Sequence, residues 1–113
     1  MELTIRTRNF ELTDAIREHV TRRLELALDA FGQHVEDVHV YLADLNGPKG
    51  GVDKLAQISV KVRRDGEIAV RETGTTLYAA INRAIRRTKY RVAETIRAGE
   101  APARESIRTA EAA

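Results

Sequence analysis

The 113-residue chain has no cysteine, so it has no disulfide framework and no thiolate for catalysis or metal binding. No apolar run approaches the roughly 20 residues that span a bilayer. The opening "MELTIRTRNF" has no apolar core of a secretory signal, and a cytoplasmic location is the expectation. Only two serines occur, Ser59 and Ser106, neither with a base beside it in sequence. "GPKGG" lacks the G-x-x-x-x-G-K-[ST] spacing of a phosphate loop. His19, His34 and His39 have no metal-ligand spacing. Glu36-Asp37 reads as an ordinary acidic turn. Nothing here makes a catalytic constellation, and neither an enzyme nor a cofactor is expected.

What is present is a charge asymmetry. Residues 57 to 97 hold ten Lys/Arg and four Asp/Glu, a balance of +6, and the rest of the chain carries −4, which together give the net +2. A basic face attracts polyanions even where the total charge is small.

Leu3 and Ile5 alternate with polar neighbours, as in a strand with one buried face. From Thr13 the spacing turns helical through Ile16, Val20, Leu24, Ala27, Leu28 and Phe31. Thr13 is the expected N-cap and Gly32 the stop of a helix of about 18 residues. Val38, Val40 and Leu42 mark a second strand, and Ala56, Ile58, Val60 and Val62 a third. "NGPKGGVD" connects them as a loop. Asp65-Gly66 predicts a two-residue type I′ hairpin into a fourth strand with Ile68 and Val70. Thr75 or Thr76 caps a second helix whose Leu77, Ile81, Ala84, Ile85, Thr88 and Val92 form one apolar stripe. From Gly99 the chain has an early proline and few large apolar residues, so a flexible tail over 99–113 is expected after a domain over 1–98.

Each strand has one apolar face. The predicted fold class is therefore α+β in two layers, strand-helix-strand-strand-strand-helix, a four-stranded sheet with both helices on one side. Thr4, Arg6, His39, Tyr41, Gln57, Ser59, Lys61, Arg63 and Arg71 then point from the open side.

With Ile81 inward, Arg83, Arg86, Arg87, Tyr90, Glu94 and Arg97 lie on the opposite face of the second helix, with Lys89 and Arg91 on its flanks. A solvated helix face is the ordinary explanation of such a run. Such a face usually interleaves acids for i,i+4 support, and between Thr75 and Ala93 there is none. A polyanion that neutralises the repulsion, with Tyr90 stacking on a base, accounts for the pattern better. Lys61, Arg63 and Arg71 make the open sheet a second candidate surface. The sheet offers only Tyr41 where an RNA-recognition motif needs several aromatics.

"ELTDAIREHV" at the first helix and "LYAAINRAI" at the second, in this order of elements, resemble the ribosome hibernation-promoting factor family, also called ribosome-associated inhibitor or sigma-54 modulation proteins, over about residues 1 to 97. The resemblance is to its short forms. It implies a bacterial stress-response protein that binds the small ribosomal subunit in the mRNA and tRNA channel, contacts ribosomal RNA and holds ribosomes inactive. Arg83, Arg86, Arg87, Lys89 and Arg91 then match the family's basic helix, whereas Tyr90, Glu94 and Ile96 stand where lysines are usual. The isolated protein is expected to be a monomer with no small-molecule substrate. The alternative is a regulatory module whose basic helix meets an acidic protein, as the sigma-54 name suggests.

Overall fold

The structure, a computed structural model, describes residues 1–45 and 53–100. Strand β1 (Glu2–Arg8) leads into helix α1 (Asp14–Leu28), which a single 3-10 turn (Asp29–Phe31) extends to Gly32. Strands β2 (Val35–Asp44), β3 (Lys54–Val62) and β4 (Gly66–Gly74) follow, then helix α2 (Leu77–Glu100). The connection expected over "NGPKGGV" and the tail from residue 101 lie outside the described residues. Helix α2 continues two residues past the expected domain boundary at 98.

The strands are arranged β1-β2-β3-β4, with β1 parallel to β2 and the other pairs antiparallel. A parallel pair needs a crossover, and α1 supplies it. The register places Leu3, Val38, Val60 and Ile68 in one row, and Ile5, Val40, Ile58 and Val70 in the next. Both rows pack against Val20, Leu24 and Leu28 of α1 and Ile81, Ala84, Ile85, Val92 and Ile96 of α2 in one core. Both helices therefore cover the same side of the sheet, as the alternation requires.

The helix starts follow the expected chemistry. Thr13 Oγ1 accepts from the Ile16 amide at 3.2 Å and Thr76 Oγ1 from the Ala79 amide at 3.1 Å. Gly74 gives close approach where β4 turns into α2, because a Cβ there would lie a tight 3.1 Å from the Ala80 nitrogen. Within α2 the buried Thr88 hydroxyl donates to the Ala84 carbonyl at 2.7 Å, which lets a polar residue sit in the apolar stripe.

Two expectations are corrected. The β3–β4 turn does not centre on Asp65-Gly66, because Gly66 already pairs with Val62 as the first ladder residue. The loop is Arg63, Arg64 and Asp65, closed by the Asp65 amide on the Val62 carbonyl at 3.0 Å, with positive φ at Arg64 (70°) and Gly66 (89°). Arg63 accordingly belongs to the turn and not to the outward row of β3. The outward side of the sheet is also not polar throughout. Ala43 and Leu55, paired with each other on that side, are both buried.

Candidate nucleic-acid interface

Helix α2 lies over β3 and β4 with α1 beside it, so its exposed basic residues fall on two flanks. Arg83 and Arg87, one turn apart, lean over the edge strand β4. The Arg83 guanidinium donates to the Thr73 carbonyl at 2.8 Å, and Arg87 to the Arg71 carbonyl at 3.4 Å. Both also meet the Glu72 carboxylate, Arg87 in a close hydrogen-bonded ion pair and Arg83 at 3.9 Å. Glu72 is paired with Ala56 and so points to the helix side of the sheet, where it is 16% exposed.

Arg86 and Lys89 lean the other way, toward α1. With Arg23, Leu26, Ala27, Asn82 and Ile85 they line a groove between the two helices. Leu26 on its rim is 70% exposed. At the upper end of this groove His19 is hydrogen-bonded to the Asn82 side-chain oxygen at 2.9 Å, and its ring packs edge-on against Tyr78, with centroids 4.7 Å apart. His19 is thus a tie between the helices. Among the described residues Arg23, Arg86, Lys89 and Arg91 have no ion-pair partner, and Tyr90 on the ridge between the flanks is 66% exposed.

The sheet-borne cations divide in the same way. Lys61 and Arg63 approach Glu36 at 3.8 and 3.6 Å, whereas Arg71 is unpaired among the described residues. Of the nine residues singled out in the sequence, Arg86, Lys89, Tyr90 and Arg91 are exposed on α2 without an ion pair among the described residues, Arg86 and Lys89 on the α1 flank and Arg91 on the other. Arg83 and Arg87 are tied to β4, and Lys61, Arg63 and Arg71 lie away from the inter-helix groove. Sequence reasoning missed Arg23 and Glu72. The Arg22-Arg23 pair on α1 was a visible signal; Glu72 had none, since its partners are 11 and 15 residues away.

A further polar group sits at the far end of the sheet. Asp53, 1% exposed, is hydrogen-bonded by Lys54 at 2.8 Å, and Lys54 also reaches Asp44 at 3.3 Å. The Asp53 bond, and then Asp44, raise the Lys54 pKa above its ordinary 10.5 against an opposing desolvation. Among the described residues no group of His, Asp or Glu is placed to hold a metal, and no helix is long and apolar enough to cross a membrane.

The family model described as sigma 54 modulation protein / S30EA ribosomal protein matches residues 3–97. The chain belongs to that family. Within it, the N-terminal domain of Protein Y from Thermus thermophilus is 32% identical, covering 83% of this chain and 98% of that one with a TM-score of 0.69. A ribosomal subunit interface protein from Coxiella burnetii has the same fold at 11% identity, with a TM-score of 0.72 over 86% of this chain and 99% of that one. Comparison with curated protein sequences finds no match. Sigma-54 modulation/S30EA proteins are ribosome-associated factors.

Proposed function

We propose that this protein is a cytoplasmic ribosome-associated translation inhibitor that binds ribosomal RNA of the small subunit in the mRNA and tRNA channel and holds ribosomes inactive under stress. One domain over residues 1–98 carries the activity as a monomer, without a cofactor. The observation that supports it best is the set of unpaired cations around the helix layer. Arg86 and Lys89 face Arg23 across a groove, while Tyr90 is exposed on the ridge of α2 and Arg91 on its other flank. Cations held on rigid helices place charge at phosphates, and an exposed ring stacks on a base without sequence preference. Arg83 and Arg87 contribute less charge to RNA than their number suggests, because Glu72 neutralises part of it.

The test is sedimentation of tagged protein with lysate from starved cells on a sucrose gradient. Co-migration with the small subunit or with whole ribosomes at low salt, lost steeply as salt rises, is the expected result. A protein that stays at the top of the gradient overturns the proposal.

A further inference from the structure

The open side of the sheet carries a row that crosses all four strands: Arg6 on β1, Tyr41 on β2, Gln57 on β3 and Arg71 on β4. Its neighbour row is Thr4, His39, Ser59 and Ala69. Of these eight residues Thr4, Arg6, His39, Tyr41, Gln57 and Ser59 line a shallow depression, and Ala69 and Arg71 extend its two rows onto β4. Charge on this side is segregated. The acids Glu2, Asp37 and Glu67 share a single row with Lys61, whereas the Arg6 and His39 rows contain no acid. Arg6 and Arg71 are exposed and have no ion pair among the described residues.

We infer that this depression is a second nucleic-acid site, for a short single-stranded RNA segment, on the side of the molecule opposite the helices. Four strands at their usual separation put Arg6 and Arg71 about 14 Å apart. That width admits two or three nucleotides, but with Tyr41 as its single ring the sheet stacks one base where an RNA-recognition module stacks several. Tyr41 offers a ring for one base, and His39, Gln57 and Ser59 offer donors and acceptors for base edges. The arginines at the two ends take flanking phosphates, and an acidic protein segment would leave the central ring and amide without matched groups. The site is continuous with the helix layer at one edge only, where Arg83 and Arg87 cover the Thr73 and Arg71 carbonyls beside the Arg71 side chain. A strand held by α2 can therefore pass round β4 onto the sheet. The inference rests on the RNA-binding reading of α2 and adds a separate surface to it.

The probe is a fluorescently labelled single-stranded RNA of about ten nucleotides, within the usual site size of such binders, titrated into the full-length chain at low salt. The background is Arg23→Gln/Arg86→Gln/Lys89→Gln, which removes the groove cations. Residual binding in that background is expected. It falls by about tenfold or more with Tyr41→Ala, survives Tyr41→Phe, and falls again with Arg6→Gln/Arg71→Gln, whose exposed positions leave folding intact. Complete loss of binding in the groove variant alone, or residual binding indifferent to all sheet substitutions, overturns the site and leaves that face free for a protein partner. Either result is independent of sedimentation with ribosomes, which tests the helix layer.

Discussion

Arg87 of α2 and Glu72 of β4 form a close hydrogen-bonded ion pair that fastens the middle of the helix to the edge of the sheet. The same carboxylate lies 3.9 Å from Arg83, so one acid holds back two of the five cations between positions 83 and 91. The pair covers β4 carbonyls that an edge strand otherwise exposes to intermolecular pairing.

Glu72→Gln should cost about 1 kcal/mol of stability, because the arginines are half-exposed and water screens the pair. It should also release Arg83 and Arg87 toward RNA. The expected result is tighter ribosome binding at low salt, with a dependence on salt steeper by up to about one slope unit for each freed arginine. An unchanged slope means that both arginines stay on β4 in the complex.

Arg23→Gln/Arg86→Gln/Lys89→Gln should leave the melting temperature nearly unchanged, since none of the three has an ion-pair partner among the described residues and Gln suits a helix. Ribosome affinity should drop and the salt slope flatten by roughly 0.7 to 0.9 for each phosphate that is no longer neutralised. Tyr90→Ala should weaken binding by about 1 to 3 kcal/mol with the slope preserved, as loss of stacking requires. A flattened slope with Tyr90→Ala would assign the ring a purely structural role.

Two core substitutions in α2 should differ sharply. Ile81→Asp puts a charge among buried apolar side chains and should cost about 3 kcal/mol or more. Thr88→Val removes a hydroxyl whose acceptor, the Ala84 carbonyl, keeps its backbone helix bond, so the change should stay within about 1 kcal/mol. Thermal denaturation followed by circular dichroism measures both. Equal effects would contradict the packing described for α2.

Lys54 makes a pH-dependent contribution. Its pKa is raised in the folded state, so the stabilisation is complete below the ordinary 10.5 and is lost as pH rises through the higher folded value. Lys54→Met should be less stable than the parent at neutral pH, because the buried Asp53 side chain loses its hydrogen-bonded partner. The gap in melting temperature should narrow above about pH 10.5. A gap that is constant up to strongly alkaline pH would place the stabilisation in packing of the Lys54 stem.

Period-2 alternation in β1 through β4, threonine caps and the α2 stripe are local patterns, and local patterns determine which face of each element is apolar. From them the sequence by itself determined two layers, the shared side of the helices and most of the core, down to Ile81, Ala84, Ile85 and Val92. It determined the basic excess of α2 as well, since composition needs no coordinates. The true loop Arg63–Asp65 escaped because Asp-Gly has the same appeal as a turn centre and as a ladder start; pairing with Val62 decides between them. Ile96 fell outside the expected stripe although it closes the far end of the core.

What each cation does was decided only by the tertiary structure. The angle at which α2 crosses the sheet turns Arg83 and Arg87 toward Glu72 and Arg86 and Lys89 toward Arg23 of α1. The register of β4 with β3 points Glu72 at the helices, and the parallel pairing of β1 with β2 brings Arg6 into line with Arg71 across four strands. Charges far apart in sequence interact only once packing has set the distance between them, and a helical wheel contains no such distance.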